Sequence, residues 1–183
     1  MAMTNINKIL SFDPGFSGTG WAAWSVADWK KTVPPLKNGV IHPPHRGCLE
    51  DRGESLFKMV DELLTEFVPT RTIIEWPQFF AFSGKGQTTA SSGSLGDLYL
   101  AASIIACCSW KHRSPTTFLT PTEWKGQLTK DQIDFRVRST IGGHDYKNHA
   151  LDAIGLGLFV KGVLFGVNNA SSKEKTKSGS RKR

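Results

Sequence analysis

From Lys8 to Trp21 the chain reads Lys-Ile-Leu-Ser-Phe-Asp-Pro-Gly-Phe-Ser-Gly-Thr-Gly-Trp, an apolar run that stops on a carboxylate and turns at once. The Pro-Gly pair turns the chain, and Gly18 and Gly20 lead into a second apolar run ending at Val26. Two extended runs joined by such a turn predict a β-hairpin with Asp13 at the end of its first strand. An unpaired carboxylate cannot be buried without a cost of several kcal/mol. Asp13 is therefore either a turn-forming residue before Pro-Gly or an acid held at a strand end for chemistry. The hairpin alone leaves both readings open.

The rest of the chain alternates in the same manner. Strands are predicted near Lys8–Phe12, Gly20–Val26, Lys37–His42, Arg71–Glu75 and Pro115–Leu119. Leu56, Met59, Val60, Leu63, Leu64 and Phe67 recur at helical spacing and predict a helix over Arg52–Phe67, stopped by Pro69. Further helices are expected over Leu95–Trp110, Thr129–Ile141 and Lys147–Phe165. This order implies an α/β fold, a central five-stranded mixed sheet flanked by helices. Gly155, Gly157 and Gly162 fall in the last helix. Each costs up to about 1 kcal/mol there relative to alanine, which implies close packing against a neighbour.

A chain of 183 residues, 39% of them hydrophobic, suits one domain with a sizeable core, here over 1–168. No run of about 18 apolar residues offers a membrane span, and the polar start lacks the apolar core of an export signal. Three cysteines make no disulfide framework, so Cys107 and Cys108 are expected to be small buried hydrophobes in a reducing cytoplasm. Much of the net charge of +7 lies in the segment 169–183, where Lys173, Lys175, Lys177, Arg181, Lys182 and Arg183 face a single acid, Glu174. Such a tail has nothing to pack; it is expected to be disordered and to attract phosphates.

Two further places repeat the logic of Asp13. Glu75 ends an apolar strand, and strand ends gather chemistry in open α/β sheets. His149 and Asp152, three residues apart, share a face of the last helix, with Leu151, Ile154 and Leu158 expected on the other side. Taken singly, each has an ordinary explanation, such as a solvated first-turn acid or a surface histidine. Gathered together, the acids would repel, by roughly 4 kcal/mol per pair at about 4 Å and an effective dielectric of 20. A hard cation such as Mg2+ or Mn2+ would relieve that repulsion. Two such ions could activate water and stabilise the leaving oxygen of a phosphodiester. The segment Phe79 to Ser94 is a long polar connection with Phe79 and Phe80 at its base and Lys85 near its middle. Its composition suits base stacking and phosphate contact, or else a linker anchored by its aromatics.

In this order, Asp13-Pro-Gly with a following Thr-Gly, Glu75 at a strand end, Leu95-Gly96 opening a helix, Thr120-Pro121 to Lys125, Thr129-Lys130 to Val137, and His149-x-x-Asp152 resemble the RuvC family of Holliday-junction resolvases. The resemblance covers about Lys8 to Phe159. It implies an RNase H-like fold and a homodimeric, Mg2+-dependent endonuclease, with Mn2+ as a substitute and two ions per site, acting on branched DNA. It further implies that Asp13, Glu75, His149 and Asp152 are metal ligands, with His149 able instead to handle the attacking water. Lys125 and Lys130 would lie near the scissile phosphate, and Phe79 or Phe80 would stack on an unpaired base. Trp76-Pro77 and the Gly/Ser/Thr-rich connection depart from the family pattern and bear on substrate choice.

Three rivals stand beside this reading: a nuclease of the same fold for flaps and other branches, a non-catalytic DNA-binding module, and an actin-like ATPase. The last needs a second lobe, for which 183 residues leave no room. The tail generates its own test. Truncation after Ala170 should weaken DNA binding and flatten its salt dependence while leaving cleavage at saturating protein unchanged. An unaltered slope of affinity against salt would show that the tail does not touch DNA.

Overall fold

β1 (Lys8–Asp13) runs through the middle of a five-stranded sheet of order β3-β2-β1-β4-β5, in which β2 is Thr19–Ser25, β3 Lys37–Ile41, β4 Arg71–Glu75 and β5 Thr116–Leu119. β1, β2 and β3 pair antiparallel, and β4 and β5 continue parallel to β1. This computed structural model describes residues 7–29, 31–44, 46–78, 94–142 and 145–165. Phe79, Phe80, Lys85 and the basic residues of the tail lie outside the described residues. None of the described helices is long and apolar enough to cross a membrane.

Alternation along the strands builds two cores. Leu10, Phe12, Trp21, Ala23 and Ile74 face α1 (Leu49–Phe67) and α2 (Ser94–Lys111). Ile9, Ala22, Trp24 and Ile73 face the opposite way, toward α3 (Pro121–Lys125), α4 (Lys130–Ile141) and α5 (Asn148–Val160). α1 begins three residues before the predicted Arg52 because Asp51 accepts from the Cys48 backbone N–H at 3.3 Å and caps the first turn. α3 was not predicted: five residues are too few to show a period.

α5 differs from expectation in two ways. It ends at Val160 rather than Phe165, because Gly162 takes a φ of +75° and its N–H donates to the Phe159 carbonyl at 2.8 Å, closing the helix. It also has no broad polar side: Ala150 to Leu158 are all buried, Asp152 included. A helix covered on nearly every face must approach its neighbours closely, and the glycines allow that. A Cβ on Gly155 would lie 2.9 Å from the Trp124 ring, and one on Gly157 would collide with the Trp24 indole. Ser11, fully buried, donates to the Ala153 carbonyl at 2.7 Å and accepts from Trp24 Nε1 at 3.1 Å, pinning α5 to β1 and β2.

The closest approach is at Gly20, which pairs with Asp13 across β1 and β2. A Cβ there would run into the carbonyl of His149, so the bare backbone of β2 is what lets the first turn of α5 reach the end of β1. One expectation fails on the far side of the sheet: Cys108 is buried but Cys107 is exposed, since adjacent helical residues point about 100° apart.

Gly20→Ala should therefore lower stability by at least about 2 kcal/mol, at the upper end of overpacking costs because the obstacle is backbone. Gly96→Ala, where the new methyl meets open space, should be neutral or stabilising. Thermal unfolding of the two variants checks the contrast.

Candidate active site

The geometry of the strands brings the acids together. Asp13 shares its face of β1 with Ile9 and Ser11, the face on which α5 lies. In the parallel pairing of β1 with β4, Phe12 stands beside Ile74, so the next step of each strand is Asp13 and Glu75. Glu75 follows Ile73 by two and points the same way. α5 crosses this face with His149 in its first turn and Asp152 one turn on. All four line a cleft of about 340 Å³ whose walls include Pro77 and Leu98.

Each carboxylate is largely out of solvent: the side chains of Asp13, Glu75 and Asp152 are 15%, 13% and 11% exposed. Burial pushes the Asp13 carboxyl up, against the hydrogen bond between His149 Nδ1 and its Oδ2 at 3.1 Å. That same hydrogen bond raises the imidazole above its ordinary value, against burial. The pair thus holds a proton more tightly than either group does alone. Burial also drives Glu75, in spite of Lys125, up to about 7, and the neighbouring Asp13 adds to the rise.

Two ammonium groups answer this negative charge. Lys125, at the end of α3, places Nζ 3.2 Å from Glu75 Oε2 and 3.6 Å from Asp152 Oδ1. Lys130, opening α4, places Nζ 2.6 Å from Asp152 Oδ2 and 3.1 Å from Asp134 Oδ1. Burial works against the charge on both lysines, but the carboxylates around them prevail and both are raised. Lys125 is largely withdrawn from solvent, with 22% of its side chain exposed, whereas Lys130 keeps 43% of its side chain open to water. Thr120 and Glu123 cap α3 reciprocally, Thr129 and Gln132 cap α4, and these caps fix where the two lysines start.

Among the described residues, no three His, Cys, Asp or Glu side chains stand together as a ready metal cage. The donor set still fits a hard cation. Asp152 Oδ1 is buried without a hydrogen-bond partner. Asp13 and Glu75 are raised chiefly because burial withdraws them from water, and every acidic ligand offers oxygen. The lysine ammonium groups stand where negative charge accumulates.

Two contributors escaped the sequence. Trp124, fully buried, donates from Nε1 to Glu75 Oε2 at 2.7 Å. Asp134 shares Lys130 with Asp152. The Thr-Pro-Thr-Glu pattern at 120–123 is a capping box that could have disclosed α3, and with it the inward turn of Trp124. Trp76 packs edge-on against Phe118 and Tyr99, with centroids 4.9 and 5.6 Å away, and lies against the core beneath α1 and α2.

No protein-family model matches the chain. It is 25% identical over 162 residues to the crossover junction endodeoxyribonuclease RuvC of a Wolbachia strain from Drosophila simulans, covering 86% of this chain and 98% of that protein. It is 27% identical over 169 residues to the enzyme of the same name from Anaplasma phagocytophilum, covering 87% and 99%. Its fold matches that of T. thermophilus RuvC in complex with a Holliday junction substrate, with a TM-score of 0.65 at 18% identity over 84% of this chain and 91% of that one. The RNase H-like, five-stranded arrangement expected from the sequence is the one found.

The raised Glu75 makes stability depend on pH in a defined sense. An acid whose folded pKa, about 7, exceeds its ordinary 4.5 stabilises the fold fully below about 4.5 and loses that contribution as pH rises through 7. Metal-free protein should lose thermal stability between pH 5 and 8, and Glu75→Gln should flatten the decline. Added Mg2+ should raise the midpoint more at pH 8 than at pH 5; EDTA should reverse the gain. Equal shifts at both pH values would separate metal binding from these acids.

Proposed function

We infer that this chain belongs to the RuvC family of Holliday-junction resolvases and is a metal-dependent endonuclease that cuts four-way DNA junctions by paired phosphodiester hydrolysis. One observation carries the reading: three carboxylates from β1, β4 and α5 converge at one end of the sheet beside two lysines and a histidine. A non-catalytic DNA-binding module has no use for three acids held at such electrostatic cost, in a place where they would repel a phosphate.

Asp13, Glu75 and Asp152 would hold the cation, Mg2+ or Mn2+ in its place, with room in the donor set for two ions when His149 joins. Bound there, the metal supplies an activated water and a counter-charge for the leaving oxygen. His149 Nδ1 is engaged by Asp13, which leaves Nε2 to orient the attacking water or take its proton. The ammonium groups of Lys125 and Lys130, released from the acids, would face the non-bridging oxygens of the scissile phosphate and stabilise charge developing there. Phe79, Phe80 and Lys85, which follow β4 in the sequence, would meet the bases and backbone at the crossover, and the basic tail would add affinity without sequence preference. A substrate with two-fold symmetry calls for two such sites, which a homodimer provides.

Cleavage of a synthetic four-way junction with mapped nicks tests this. With Mg2+, nicks should fall in symmetric pairs on opposing strands; with EDTA, none should appear. Asp13→Asn should slow cleavage by at least about 100-fold, more than the loss of a metal ligand's hydrogen-bond partner costs, while junction binding persists. Flaps cut as fast as junctions, without paired nicks, would replace the resolvase reading with that of a broader nuclease.

A further inference from the structure

Glu75 stands at the end of β4 with little access to water, so its neighbours set the plane of its carboxylate. One of its oxygens, Oε2, accepts from the Trp124 indole N–H at 2.7 Å. The same indole offers its face to Lys125, whose Nζ lies 4.7 Å from the ring centroid and 3.2 Å from Glu75 Oε2. One ring therefore touches the acid with its edge and the amine with its face, matching the positive rim and negative face of an aromatic quadrupole. The ring cannot drift. It is fully buried, and the backbone of α5 closes on it at Gly155, where a Cβ would lie 2.9 Å from its edge.

We propose that Trp124 is a positioning residue for the site: its N–H fixes the rotation of the Glu75 carboxylate and its ring holds the Lys125 ammonium against it. This rests on the nuclease reading for its consequence but not for its geometry. The N–H of a tryptophan that merely filled the core could be met by a backbone carbonyl, as buried indoles often are. Here it meets one of the three carboxylates that would hold the cation. Hydrogen-bond partners of metal ligands change metal affinity by about 10–100-fold when removed.

Trp124→Phe keeps an aromatic ring and removes the donor. The variant should need about 10-fold more Mg2+ for half-maximal junction cleavage, with junction affinity in EDTA unchanged. Wild-type Mg2+ dependence in a folded Trp124→Phe protein overturns the proposal. Should that variant not fold, the indole N–H resonances of the 15N-labelled wild-type protein decide. Mg2+ should move the Trp124 resonance well beyond that of Trp110, which is exposed; equal movement overturns the proposal. A wild-type protein that binds no Mg2+ in calorimetry instead overturns the metal-dependent nuclease reading. The clamp is then judged from Glu75→Ala alone, which should shift the Trp124 resonance strongly if the hydrogen bond exists and leave it in place if it does not.

Discussion

Asp13, Glu75 and Asp152 meet at one end of the sheet with most of their surfaces withdrawn from water, and their mutual repulsion is the condition that every neighbouring group answers. Lys125 and Lys130 reach in from two short-spaced helices to offset it. His149 hydrogen-bonds to Asp13, Trp124 donates to Glu75, and Asp152 keeps one buried oxygen without a hydrogen bond. A core built for stability alone would not gather three acids and then require two ammonium groups to hold them. Negative charge left partly uncompensated is what a cation-binding site requires.

The fold supplies this arrangement through a few close approaches. β1 and β4 run parallel and end together, so the side-chain alternation that buries Ile9 and Ile73 on one face also delivers Asp13 and Glu75 there. α5 then has to lie against that face near enough for His149 to touch Asp13. Gly20 on β2, with Gly155 and Gly157 on the helix, removes the side chains that would hold the elements apart. The hydrogen bond from the Ser11 hydroxyl to the Ala153 carbonyl fixes the depth at which the helix settles.

Much of this was legible in the residues. Asp13 and Glu75 each close an apolar strand, and the three-residue interval between His149 and Asp152 aligns them on one helix. Glycines within an apolar helix correctly implied tight packing at Gly155 and Gly157. Gly162 did not belong to that group, because composition cannot distinguish a glycine that admits a neighbour from one that ends the helix at positive φ. The polar face expected of α5 was also misjudged, since periodicity shows which residues are apolar but not how many sides are covered. α3 was too short to leave a periodic trace. With it went the inward orientation of Trp124, whose indole depends on a cap four residues earlier and on space opened by a glycine thirty-one residues later in the sequence. Contacts of that kind belong to the assembled site, not to any window of sequence.

The most direct measurement is the location of Mn2+ by anomalous scattering in crystals of the full chain grown with the ion. An anomalous peak bounded by the oxygens of Asp13, Glu75 and Asp152, with the Lys125 ammonium moved off the carboxylates, is the result expected. Saturating Mn2+ with no peak among these three acids, and Lys125 still bridging Glu75 and Asp152, would show that the lysines are permanent counter-ions and that the convergence of acids does not serve metal-dependent chemistry.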